Sequence, residues 1–81
     1  MGLFRYIETV KVWMEFDGLQ LRPIRFWQGV REYEVKRVTM RFERSDGGRR
    51  YLCFAVDTGG AVAELSMDRE NFSWRMREAD V

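Results

Sequence analysis

Eighty-one residues, 46% hydrophobic and 15% aromatic, suffice for a single domain with a compact core. Fourteen Lys and Arg against thirteen Asp and Glu leave a formal charge of +1, so no overall field steers the chain toward polyanions. With no histidine and one cysteine, the usual neutral-pH general base, imidazole metal ligation and an intramolecular disulfide are all excluded.

The chain is expected to be a soluble cytoplasmic protein. No apolar run approaches the roughly 20 residues of a membrane helix, and the opening residues lack a secretory hydrophobic region. Tyr6 stands where a myristoylation signal beginning at Met1-Gly2 wants Ser or Thr.

From Glu8 the sequence alternates, with Val10, Val12, Met14 and Phe16 on one face and Thr9, Lys11, Trp13 and Glu15 on the other. Asp17-Gly18 predicts a two-residue hairpin turn that sets Phe16 against Leu19 and Met14 against Leu21. Pro23 cannot donate to a ladder and predicts a break or an edge position. Beyond it, a loop of Gln28 to Arg31 sets Phe26 against Tyr33, Ile24 against Val35, Arg25 against Glu34 and Trp27 against Glu32. A one-residue slip would lose the apolar match, so this register is well specified.

The phase then changes: Tyr33 and Val35 are odd, Val38, Met40 and Phe42 even. This predicts a bulge at Lys36 or Arg37 that bends the strand without changing its buried face. With Asp46-Gly47-Gly48 as the next loop, Phe42 faces Leu52, Met40 faces Phe54 and Val38 faces Val56. Gly59-Gly60 pairs Val56 with Ala63, Phe54 with Leu65 and Leu52 with Met67. A final loop of Asp68 to Asn71 sets Met67 against Phe72, Leu65 against Trp74 and Ala63 against Met76.

The expected fold is therefore all-β: one domain over residues 1–81, a five- to six-stranded antiparallel meander. It curls into a small SH3-like or OB-like barrel or a strongly bent sheet, since closure removes exposed edges. Trp74, Phe54, Met40, Phe42, Leu65, Tyr33 and Val35 are its expected core.

Pro23, Phe26 beside Trp27, Gly29, Tyr33, Val35 and Val38, closing on Phe72 and Trp74, resemble the pattern of a family of small bacterial proteins of unknown function. The resemblance runs from Glu8 to Glu78. The chain departs from it in having Phe26 before Trp27 rather than one clean tryptophan, and Met40-Arg41-Phe42 where a second tryptophan is often found. The resemblance implies a fold and no catalytic motif. Some members are thought to lie near DNA-repair polymerase genes, which implies a link to nucleic acid.

Cys53, between Leu52 and Phe54, lacks a setting that would activate a thiolate and reads as a wall residue. Asp57, Glu64, Asp68 and Glu70 show no pairing motif, and no Walker lysine follows either glycine pair. The expectation is a non-enzymatic interaction module with no cofactor and no metal.

The remaining signal is aromatic residues and arginines on the polar phase: Trp13, Arg25, Trp27, Arg31, Arg41, Tyr51, Arg75 and Arg77. Such a surface suits a protein partner or a homodimer if it forms an apolar patch. Alternatively, base stacking with phosphate-pairing arginines binds single-stranded nucleic acid. Glu15, Glu32, Glu34 and Glu43 share these faces, so plain cross-strand ion pairing competes with both readings. Acids interrupting the arginines would count against nucleic acid; Trp13 adjoining Trp27 would favour a partner.

Overall fold

Tight turns at Gly18-Leu19, Gly29-Val30 and Gly47-Gly48 decide which residues meet across the hairpins they close. The structure, a computed structural model, describes residues 6–8 and 10–78; Met1, Gly2 and Thr9 lie outside the described residues. Among these are eight strands: β1 (Ile7–Glu8), β2 (Val10–Asp17), β3 (Gln20–Gln28), β4 (Arg31–Glu34), β5 (Arg37–Asp46), β6 (Arg49–Asp57), β7 (Val62–Asp68) and β8 (Trp74–Glu78). They form a five-stranded sheet, β1-β8-β7-β6-β5, and a three-stranded sheet, β2-β3-β4, with every pairing antiparallel. The chain is all-β, as its alternation predicts. Among the described residues no helix is long and apolar enough to cross a membrane.

The hairpin of β3 and β4 has the predicted register: Phe26 faces Tyr33, Arg25 faces Glu34 and Trp27 faces Glu32. One further pair, Gln28 with Arg31, tightens the loop to Gly29-Val30. The Phe26 and Tyr33 rings stack at 4.9 Å between centroids. The β6–β7 register also matches, from Val56 with Ala63 to Leu52 with Met67.

The phase change after Tyr33 proves to be a change of sheet. The Val35 amide donates to the Ile24 carbonyl at 3.0 Å, and the next amide, of Lys36, donates to the Asp57 carbonyl at 2.7 Å. The bulge itself falls later than predicted, between Val38 and Met40, leaving Thr39 as the extra residue.

Three registers differ from expectation. The first turn is Gly18-Leu19, so Phe16 faces Leu21. Gly18, at the first central position, has φ 63°, which a two-residue hairpin turn reserves for glycine. Pro23 does not end the strand; it is buried opposite Met14, and the register shift between Trp13 and Met14 leaves Ile24 as an extra residue of β3. Proline is tolerated there because it sits at a bulge, before the β3–β4 ladder begins at Arg25.

The second difference lies at Gly47-Gly48, with φ 59° and 81°, which alone forms the β5–β6 turn. That moves the pairing by one, to Phe42 with Cys53 and Met40 with Ala55. Both side chains leave the core face, and Met40 is 59% exposed. The Thr39 bulge then restores Val38 to Val56. In the third case, β8 is displaced by two residues, pairing Met67 with Trp74 and Leu65 with Met76. A shift of two preserves the face, but it expels Phe72 into the loop.

The core draws on both sheets. Val10 and Phe26 from the small sheet pack with Phe54, Val56, Ala63, Leu65 and Met76 from the large one, and Tyr33, Val35, Val38, Leu52 and Trp74 are half-buried against them. Phe26→Ala should cost about 3–5 kcal/mol, a large part of such a domain's stability. Met40→Ala should stay within about 0.5 kcal/mol. Urea unfolding of both variants checks the pair, since the sequence-based register would make Met40 the costly site.

Candidate functional site

On the outer face of the three-stranded sheet the pairing forms cross-strand rows. Lys11, Trp27 and Glu32 make one row, Trp13, Arg25 and Glu34 the next, and Glu15 with Arg22 a third. Trp13 and Trp27 therefore occupy diagonal positions on one face, within reach for side chains of this size. Trp13 is 56% exposed. Trp27 is half-buried, donates from Nε1 to Glu32 Oε1 at 3.1 Å, and carries Lys11 Nζ 5.5 Å from its ring centroid.

Acids interrupt the cations throughout this face. Arg25 pairs with Glu32, Arg22 with Glu15 at 3.6 Å, and Lys36 with Glu34 at 2.8 Å. Exposed pairs of this kind contribute little stability, but they cancel the local field. At the tip of the same hairpin Phe16, Leu19 and Leu21 are exposed as well.

Tyr51, Arg75 and Arg77 lie elsewhere, on the outer face of the five-stranded sheet. Arg75 Cζ sits 3.6 Å from the Tyr6 ring centroid and 3.8 Å from that of Tyr51, a guanidinium stacked between two rings. Beside it Glu64 is buried and hydrogen-bonded through both oxygens. Its Oε1 accepts from Arg44 Nη2 and Arg77 Nη2, each at 3.0 Å. Its Oε2 accepts from the Tyr6 hydroxyl at 2.9 Å and Ser66 Oγ at 3.1 Å. Cys53 Sγ lies 3.4 Å from the same Ser66 oxygen.

Burial alone would raise the Glu64 carboxyl, but the bonds from Tyr6, Arg77 and Ser66 outweigh it and hold it below the usual range. Burial and the bond to Glu64 push the Tyr6 phenol up. A carboxylate so fully occupied anchors its neighbours and is a poor proton-transfer group near neutral pH. In the sequence Glu64 shows only the lack of a pairing motif. The available signal was the polar series Glu64, Ser66 and Asp68 on β7, the central strand of the larger sheet.

At one end of this face a groove of about 610 Å³ is lined by Arg49, Tyr51, Asp68, Phe72, Trp74 and Arg75, among others. Asp68 is buried and accepts from Arg49 Nη1 at 2.6 Å. The Glu70 amide is the main cause of its lowered pKa. Phe72 stands at the rim, 67% exposed, with φ 61°, a costly conformation for an aromatic residue.

Arg31 and Arg41 belong to neither group; they lie over the Tyr33 and Phe54 rings at 5.7 and 6.0 Å. Among the described residues no group of three or more Cys, Asp or Glu side chains could hold a metal ion.

Because the folded-state pKa of Glu64 is depressed, its stabilisation is complete above the unfolded value near 4.5 and is lost as pH falls through the lower, folded value. Glu64→Gln should therefore lower Tm near neutral pH, and the gap from wild type should shrink on acidification. Thermal melts from about pH 7 to about pH 3 measure this. No known protein family matches the chain, and neither the curated proteins nor the solved structures contain a match.

Proposed function

We propose that this domain is a non-enzymatic interaction module that docks a protein partner on the outer face of its three-stranded sheet, with Trp13 as the anchor. The observation that carries this reading is the Trp13–Trp27 diagonal set among internally matched charges. Exposed tryptophan is a favoured centre for a desolvated contact, while a cancelled field gives a polyanion little to follow.

The reading includes a curled, barrel-like arrangement of SH3-like or OB-like size. Its support is that β8 pairs with β1 and that the β4–β5 segment serves both sheets. A reducing cytoplasmic setting is also part of it, supported by the free, buried Cys53.

Immobilised wild type and Trp13→Ala, each presented with soluble cell extract, test the docking face. A retained partner should survive a rise in salt and lose about 2 kcal/mol of affinity, near thirtyfold in Kd, with Trp13→Ala. Equal retention by both proteins contradicts the reading.

A second reading has its own observation. The groove sets the exposed Phe72 ring and the half-buried Trp74 ring beside Arg49 and Arg75, with Tyr51 buried beneath Arg75, and aromatic rings beside arginines are the components of a single-strand stacking site. The link to DNA repair implied by the resemblance around Pro23 points the same way. Under this reading, Phe72→Ala weakens binding of a fluorescent single-stranded oligonucleotide by about 1–3 kcal/mol, with affinity falling steeply as salt rises, and Trp13→Ala has no effect. A titration with no salt-dependent binding removes it.

A further inference from the structure

The free edge of β5 carries a charge sequence that matches its own reverse. We propose that two copies of this chain pair antiparallel through their β5 edges, about a two-fold axis at Phe42. This interface lies apart from the Trp13 face and does not rest on the docking proposed there.

β5 is ten residues long and ends the five-stranded sheet, so among the described residues no strand pairs with its outer edge. A long edge presents unpaired amides and carbonyls, a ready template for another strand. Arg37, Arg41, Glu43 and Asp46, all exposed on β5, guard that edge against an arbitrary partner, as charged edge residues do. Whether they also guard it against a second copy depends on register.

In a two-fold antiparallel pair, one residue must face its own copy, and its neighbours then pair symmetrically about it. Centring on Arg41, Glu43 or Arg44 puts like charges face to face. Centring on Met40 sets Val38, which the Thr39 bulge turns to the core face, against Phe42 of the second copy, which lies on the outer face. Centring on Phe42 removes every like-charge contact. Arg41 then faces Glu43 of the second copy, and Glu43 faces its Arg41, giving two symmetric ion pairs on one face. On the other face Phe42 meets Phe42, with Met40 beside Arg44.

Exposure fits this arrangement. Met40 is 59% exposed and Phe42 half-buried on the same outer face, so pairing would cover an apolar stripe that the monomer leaves open. Glu43 already meets Arg69 at 2.8 Å yet keeps a side chain 53% exposed, which leaves it able to bridge to a second arginine. The charges that repel other strands thus select this one.

Sedimentation equilibrium of the full chain over a range of concentrations tests the proposal. Wild type should show a reversible monomer–dimer equilibrium. Arg41→Glu and Glu43→Arg should each weaken dimerisation about tenfold or more, because each turns both symmetric pairs repulsive. The double variant Arg41→Glu/Glu43→Arg should recover to within about threefold of wild type, while Trp13→Ala should leave the equilibrium unchanged. A wild type that stays monomeric throughout, single variants that still dimerise, or a double variant that does not recover would each overturn the proposal. So would a dimer lost with Trp13→Ala. In the unaltered protein, amide exchange should slow with concentration along β5; slowing confined to other strands, or none at all, also overturns it.

Discussion

The domain depends on one corner. Val35 and Lys36 are adjacent in sequence, yet their amides donate into different sheets, to Ile24 and Asp57. A chain of this size buries too little surface to support two separate cores, so the sheets have to share one. Ahead of the corner, Tyr33 stacks on Phe26; beyond it, Val38 faces Val56. Both sides of the turn thus feed the same cluster. The Thr39 bulge lets β5 serve that cluster at Val38 and present Met40 and Phe42 on the other face.

The outer faces of the two sheets are covered unevenly. In the larger one, both faces of β7 are buried: Leu65 lies in the core shared with Val10 and Phe26 of the smaller sheet, and Glu64 lies among Tyr6, Arg44 and Arg77 on the outer face. That network cross-links β5, β7 and β8 to Tyr6, and the stacking of Arg75 between Tyr6 and Tyr51 extends it to β6. A half-satisfied buried carboxylate would be costly; one with a donor on every side fixes its neighbours in place. Among the described residues the smaller sheet has no such cover, and its outer face carries paired charges around tryptophans. The polar chemistry is therefore spent on structure in one sheet and left at the surface in the other.

Sequence made the elements legible because β2 alternates cleanly and each turn carries glycine or Asx chemistry. The β3–β4 register was readable since Phe26 with Tyr33 and Arg25 with Glu34 agree at once. Turns were harder, as several neighbouring residues can occupy them. Asp17-Gly18 and Gly18-Leu19 are both plausible pairs, and the chain takes the one with glycine at the first central position. The Asp46-Gly47-Gly48 stretch misled by a single residue, enough to move Phe42 from Leu52 to Cys53 and so to the other face.

The candidate site was legible in its residues more than in its grouping. Trp13, Arg25 and Trp27 share a face as alternation implies, whereas Tyr51, Arg75 and Arg77 belong to the other sheet. The network around Glu64 and Ser66 is hidden in the sequence because polar residues alternating along a strand ordinarily mark a solvent face. Here long side chains from strands remote in sequence close over them, and only the tertiary pairing reveals it.

The shared corner can be measured directly by native-state amide exchange at Val35 and Lys36. If a single core couples the sheets, both amides exchange only through global opening, with the same protection as core amides such as those of Phe54 and Leu65. Rapid exchange at either one while the five-stranded sheet stays protected would mean that the sheets open independently, and would contradict the account.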